Sequence, residues 1–325
     1  MKVLFIGSRR HDYVQDLLYS GLVKILGLKN VVELYWNYKY HVPVKQYPKN
    51  MGYVKKSFFV SKFQSANNID LVIVGAAKPD CFKLYLKHLP NISPSVPVVF
   101  IDGGDRPEVA GDLSRYEVPE LYQKATSIRP FDFIFKREML KEKKYESNVI
   151  PLTIAFNFSF KPKLKLSHIY DVAFWAGNSH EQRAKAKKLL DKQFDCEKNG
   201  TTSNENLNSF SRKGNFYLEE LGRCKINISI RGGGNDTLRY WEVPAVESML
   251  LSERLDIIIP NDFTHEKNAI FCNSDLSDMI DLCEYWLKNE NKRTAVAKAG
   301  YEHMLRYHTD THRAQTVLDT VKHLL

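Results

Sequence analysis

Three observations predict an α/β chain of two tandem Rossmann-like domains. Apolar runs of strand length alternate with amphipathic helical patterns, the series starts afresh halfway along, and a basic, weakly apolar stretch separates the two series. The first series opens with KVLFIG (2–7) and the amphipathic DYVQDLLYSGLVKILG. Strands follow in VVELYW, IDLVIVG (69–75), PVVFIDGG (97–104) and FDFIFK (131–136), with helical patterns near 54–67, 79–88 and 118–126. KPKLKLSH (161–168) reads as the linker, which puts a first domain at 1–160 and a second at 169–325. The second series runs through YDVAFWAG (170–177), a charged helix from about 179 to 193, INISI (226–230), a helix from 238, DIIIP (256–260), AIFC (269–272) and helices up to 325. A length of 325 residues suits two domains of about 150 each.

Composition narrows the class. Hydrophobic residues make up 43% of the chain and aromatics 12%, which fits a folded protein with real cores. No apolar run reaches the roughly 18 residues of a membrane span, and MKVLFIGSRR is too short for a signal peptide, so a cytoplasmic protein is expected. Cysteines 81, 196, 224, 272 and 283 form no CxxC pair and suit reduced thiols. His308 and His312 stand at i, i+4 without a carboxylate set to complete a zinc site, so helix capping is the simpler role and no metal or cofactor is expected. The formal charge of +9 favours anionic partners: a nucleotide, a nucleic acid or an acidic membrane surface.

The densest chemical signal is CKINISIRGGGNDTLRYWEVPAVE, from Cys224 to Glu247. An apolar strand runs into Arg231, three glycines (Gly232, Gly233, Gly234), Asn235, Asp236 and Thr237, and then a helix carrying Arg239 and Glu242. Glycines let a ligand approach the backbone, and the free N–H groups of a helix start suit a pyrophosphate. Glu242, about one turn into the helix, is placed to accept from ribose hydroxyls. A plain flexible turn is the competing reading of the glycines. Glu242→Ala is expected to weaken nucleotide binding and leave the fold intact.

Ligands in open α/β sheets sit beyond the carboxyl ends of the strands, which points to three further loops. These are Gly7 to Asp12, with Arg9, Arg10 and His11; Asp102 to Pro107, with Asp105 and Arg106; and Gly177 to His180, with Asn178. Asp102, Asp105 and His11 are candidates for a general base, and Arg9, Arg10 and Arg106 for acceptor contacts; turn chemistry and a solvated helix start are the alternatives. A GxGxxG fingerprint is missing from both halves, which disfavours nicotinamide chemistry. The basic clusters KREMLKEKK (136–144) and KAKKLLDK (185–192) read more simply as solvated helix faces than as a nucleic-acid surface.

TLRYWEVPAVESMLLSE, the strand-like DIIIPNDF and the closing HTDTHRAQTVL resemble the C-terminal domain of spore-maturation-protein-type glycosyltransferases, a branch of the GT-B superfamily. Arg239, Glu242, Asp275, His308, Thr309, His312 and Arg313 stand at the positions of that family's motifs, and segments 135–140, 150–157 and 170–183 are similar to it as well. The resemblance implies a GT-B fold whose last helix returns to the first domain, and a metal-independent transferase that moves a sugar from a nucleotide-sugar donor. The second domain would hold the donor, with Gly177, Asn178 and residues 231–237 among its contacts and Arg231 as electrophilic stabiliser. The first domain would hold a saccharide, a lipid-linked acceptor or another hydroxyl acceptor, with contact to an acidic membrane and a DNA acceptor both open. A noncatalytic nucleotide-sugar-binding protein is the other alternative. Two departures stand out: Gly234 replaces a glutamate usual eight residues before Glu242, and Glu247 stands where glycine is more common.

Overall fold

A computed structural model describes residues 1–43, 47–55, 67–163, 166–177, 179–195 and 215–325. The first domain carries strands β1 (Val3–Ile6), β2 (Val31–Glu33), β3 (Leu71–Val74), β4 (Val98–Asp102), β5 (Phe133–Lys136) and β6 (Val149–Pro151). They pair in parallel in the order β2-β1-β3-β4-β5-β6. The second domain carries β7 (Tyr170–Ala173), β8 (Cys224–Ser229), β9 (Met249–Glu253) and β10 (Ile270–Cys272), parallel in the order β10-β9-β8-β7. Helices cover both faces, so the central strands are apolar without alternation and β1, β3 and β4 are buried along their whole lengths.

Helix Tyr13–Leu26 follows β1; Asp12 caps it by accepting from Gln15 N at 3.0 Å, and Gly27 leaves it at φ 81°. The final helix, Asp310–Val321, starts with a capping box in which Thr309 accepts from His312 N while His312 accepts from Thr309 N. It lies directly against Tyr13–Leu26 of the first domain. The approach is close enough that a Cβ on Gly21 would sit 2.2 Å from the Asp310 carbonyl oxygen. Ser20 and Lys24 both donate to Asp310 Oδ2, at 2.7 and 2.6 Å. Arg313 donates to the carbonyls of Thr153 and Ile154 at 2.9 Å, and Phe156 pairs with the segment at Thr309. One apolar cluster therefore runs from Phe5, Val99 and Phe135 through Ala314 and Val317 to Trp241.

Several elements differ from the sequence-based reading. DIIIP (256–260) is not a strand; its only ladder contact is an isolated bridge between Ile257 and Leu140. The strand beside β8 is instead Met249–Glu253, because the helix from Leu238 ends at Ala245 after Pro244. The intervening turn places Glu247 at φ 64°, a left-handed conformation that favours glycine. Lys161 anchors its side chain at 2.6 Å. KREMLKEKK is not a solvated helix face: Lys136 ends β5 fully buried, and Arg137 and Glu138 are buried beside it. The helical pattern near 54–67 lies mostly outside the described residues, as do Asn178 and Cys196. Cys81, Cys224, Cys272 and Cys283 are buried free thiols, and burial pushes Cys81 and Cys272 up to about 12. No helix among the described residues is long and apolar enough to cross a membrane.

Candidate functional site

The loops after β4 and β5 of the first sheet meet those after β8 and β9 of the second, with Asp105 opposite Gly233, Glu138 on Asn235 and Lys141 N donating to Asp256 O. The glycine-rich loop leaves β8 and opens the fully buried helix Leu238–Ala245. Close approach explains its glycines, since a Cβ on Gly232 would lie 2.8 Å from the Arg183 guanidinium and one on Gly234 only 2.5 Å from Glu138 Oε1. Glu138, on the loop after β5, sets its carboxylate against the end of the glycine loop, just before the helix cap Thr237. Oε2 accepts from Asn235 N at 2.9 Å and Asn235 Nδ2 at 3.1 Å, while Oε1 accepts from Asp236 N at 2.9 Å and Arg137 Nη2 at 3.2 Å. These N–H groups of the glycine loop are thus taken by a carboxylate of the opposite domain.

Asp236 clamps the same corner from inside. Its carboxylate accepts from Ile154 N and from Trp241 Nε1, both at 2.6 Å. Burial pushes its carboxyl up to about 6 against the pull of Arg137. Thr237 caps the helix by position and hydrogen-bonds Ser229 Oγ at 3.0 Å. Glu242 is 1% exposed: Tyr47 OH donates to Oε1 at 2.6 Å and Tyr217 OH to Oε2 at 2.9 Å. The structure therefore corrects the expectation that Glu242 lies at a cleft edge and can be truncated without cost to the fold. Arg239 is buried alongside it.

The cations divide unevenly. Arg231 is committed to carboxylates, with Nε donating to Glu253 at 2.8 Å and Nη2 to Asp256 at 3.3 Å. Arg183, on the first turn of helix Glu181–Leu189, donates to the carbonyls of Ile230 and Gly177 and to Ser179 Oγ at 2.9–3.2 Å. Its guanidinium thereby spans the loops after β7 and β8. Among the described residues, a Cβ on Gly177 would meet nothing within 4 Å. Arg137 donates to Gly103 O at 2.8 Å and pairs with Asp105. Burial would raise the Asp105 carboxyl, but Arg137 holds it below its usual value.

In the first domain, Asp102 is buried, accepts from Ala110 N at 2.8 Å and faces Lys136 Nζ at 3.1 Å. That places it as a loop anchor rather than a cleft group. Asp105 does reach the cleft, opposite Gly233. His11 sets its ring edge-on to Tyr13 at 4.4 Å. Arg9 lies over exposed Tyr35, Arg10 lies over Tyr116, and Arg106 is exposed. Arg9 and Tyr35 border a cavity of about 320 Å³ with Lys83 and Lys87. Asp275 lies on a surface turn, where it accepts from Ser277 N. Inside the protein His308 Nε2 donates to the Asn261 carbonyl and Nδ1 accepts from Arg313 Nη2, and burial with Arg313 lowers it to about 2. No group of three His, Cys, Asp or Glu among the described residues is arranged to hold a metal ion.

Sequence reasoning passed over Arg137, Glu138, Tyr47, Tyr217 and Arg183. Only Arg183 had a local signal, since it opens a helix directly after a β-loop. Asp12, buried behind Gly103, was likewise passed over. Burial pushes its carboxyl to about 6, partly offset by Lys78. Its folded value lies above the ordinary 3.8, so the folded state holds the proton more tightly, and the stability this provides at acid pH is lost as pH rises from about 4 to about 6. Asp12→Asn keeps a good helix cap. It should raise stability at pH 7.5 by up to about 2 kcal/mol and flatten that acid-side slope, as read from urea midpoints across pH 4–8.

Two parallel-sheet domains facing across a cleft, with the last helix returned to the first domain, make up the GT-B fold. Residues 175–319 match the family described as glycosyl transferase-like. In fold the chain is similar to Anabaena HepE, solved in complex with UDP-glucose, at 11% identity over 99% of this chain and 100% of that one, with a TM-score of 0.61. It is similar as well to sucrose-phosphate synthase from Thermosynechococcus elongatus, at 10% identity, 100% and 99% coverage and a TM-score of 0.60. A third likeness is to an alpha-glucosyltransferase in complex with UDP-glucose and DNA containing an abasic site, at 13% identity, 98% coverage of both chains and a TM-score of 0.60. None of the curated proteins matches the chain by sequence.

Proposed function

We propose that the protein is a glycosyltransferase of the spore-maturation-protein type, moving a hexose or related sugar from a nucleotide-sugar donor to a hydroxyl acceptor without a metal ion. The observation that carries this reading is the opening of helix Leu238–Ala245. Two backbone N–H groups that already bind a carboxylate, those of Asn235 and Asp236, come seven and six residues before Glu242, a carboxylate that already accepts two hydroxyls. A nucleoside diphosphate offers the same pair of groups: acceptor-only phosphate oxygens, and the two hydroxyls of its ribose.

As the bond to the leaving diphosphate lengthens, negative charge grows on the phosphate oxygens. Preorganised N–H dipoles and a fixed guanidinium stabilise it without rearrangement. Asn235 N, Asp236 N and Arg183 are the groups placed for this, with Arg231 a weaker contributor because Glu253 and Asp256 already balance its charge. The acceptor would meet Arg9, Arg10, Arg106 and exposed Tyr35 on the first domain. Asp105 and His11 are the groups there able to take a proton if the reaction inverts. A basic surface suits an acceptor carrying phosphate, whether lipid-linked at an acidic membrane or a nucleic acid.

Calorimetric titration with UDP, GDP, CMP and dTDP and their sugar conjugates, at fixed salt and with EDTA, tests the reading. Selective EDTA-resistant binding of one nucleotide is the expected result. Binding of duplex or single-stranded DNA in place of every nucleotide would overturn it.

A further inference from the structure

The geometry points to a donor site that the first domain closes with its own groups: Glu138 stands where the diphosphate would bind and Tyr47 where the ribose would, so that a nucleotide must displace both. This inference rests on the donor reading above and adds its regulation.

Two independent contacts carry it. Glu138 is 2% exposed, and its two oxygens take the N–H groups of Asn235 and Asp236, consecutive donors at the end of the glycine loop just before the helix cap Thr237, where backbone N–H groups can cradle an anion. A carboxylate and a phosphate both present acceptor-only oxygens, so they compete for the same two N–H groups. Tyr47, equally buried at 2% exposure, donates to Glu242 Oε1 while Tyr217 occupies Oε2. Two hydroxyls on two carboxylate oxygens reproduce the hydrogen-bond demand of a ribose diol. Tyr217 belongs to the second domain, but Tyr47 and Glu138 both come from the first, from the segment after β2 and the loop after β5. Their targets lie close together in the chain, Asn235 and Asp236 at the end of the glycine loop and Glu242 in the helix it opens. Tyr47 also packs against Phe160 and Tyr217, with ring centroids 5.6 and 6.3 Å away, which fixes its ring over the site.

Gly234 fits the same account. A Cβ there would lie 2.5 Å from Glu138 Oε1 and 2.7 Å from Arg137 Nη2, so the missing side chain is what admits the opposite domain's carboxylate. When Glu138 leaves, Arg137 keeps Asp105 as a partner, and the two N–H groups become available together. Binding is then coupled to domain separation: the fraction of molecules with the pair disengaged scales the apparent affinity.

The test uses Glu138→Gln, Tyr47→Phe and the double variant of the full chain. Glutamine keeps the shape but turns one of the two acceptor oxygens into an NH2 donor, which then faces an N–H donor, and phenylalanine removes only the hydroxyl. Each variant should bind UDP about tenfold more tightly than the wild type by calorimetry, with the double variant tighter still. Without ligand, the variants should show a larger radius of gyration in solution scattering and faster hydrogen exchange at Asn235 and Asp236. Unchanged or weaker UDP binding in a variant that unfolds at the wild-type temperature would overturn the inference. So would unchanged scattering together with unchanged exchange. Failure of wild type and variants alike to bind any nucleotide would instead overturn the donor reading, while scattering and exchange still decide whether the two residues hold the domains together.

Discussion

Glu242→Gln should lose roughly 10- to 100-fold in nucleotide affinity while its melting temperature stays within a few degrees of the wild type. A hydrogen bond to a charged group is worth about 1.5–3 kcal/mol, and the amide removes the charge while leaving one acceptor oxygen. Tyr47 and Tyr217 can still be satisfied, because a hydroxyl can accept from the new amide as readily as it donated to the carboxylate. Glu242→Ala should behave differently. It strips both buried tyrosine hydroxyls of their partner, and each unsatisfied buried group costs about 1–3 kcal/mol, so this variant should unfold at a clearly lower temperature as well as bind poorly. Calorimetry and thermal unfolding on the pair separate the two effects. Wild-type nucleotide affinity in Glu242→Gln would remove this residue from the donor site.

Gly21→Ala should destabilise the protein by about 2–3 kcal/mol, in the direction opposite to helix propensity. Alanine in the interior of a helix is ordinarily about 1 kcal/mol better than glycine. Here the added methyl would fall 2.2 Å from the Asp310 carbonyl oxygen and 2.9 Å from Ala314 Cβ, both on a neighbouring helix rather than on a flexible side-chain tip. Relief requires helix Asp310–Val321 to move, and with it the contacts of Ser20 and Lys24 to Asp310. Overpacking of this kind costs about 1–3 kcal/mol and acts on top of the lost hydrogen bonds. Urea unfolding gives the magnitude, and hydrogen exchange in residues 310–321 shows whether that helix loosens first. A stabilised variant would mean that the two helices can part without cost.

Most of the fold was legible because parallel strands buried on both faces leave uninterrupted apolar runs, as in KVLFIG and FDFIFK. Met249–Glu253 was hidden by its neighbours: the apolar run MLL follows a helix after one turn, and only Pro244 and the left-handed Glu247 mark the break. DIIIP misled for the complementary reason, since an apolar run with strand composition serves here to bridge the two domains at Ile257. At the site, the glycine loop and Glu242 stood out because their chemistry is local in sequence. Glu138 lies 97 residues from Asn235, and Tyr47 lies 195 from Glu242, so each pairing exists only after the domains are assembled. Nothing along the chain announces which carboxylate will take the N–H groups of a glycine loop in the other domain.

The segment that leads out of the first domain and the returning C-terminal segment pass side by side, joined where Phe156 meets Thr309. Two chains bonded together in this way act as the spine of a book: the covers can swing apart, while sliding one along the other is resisted. On the proposed function, an acceptor would then be admitted by an opening angle and not through a pore of set diameter. A long polymer could lie in the gutter and run out at both ends without being threaded, so modification at an interior position of a chain is mechanically as accessible as modification at its tip.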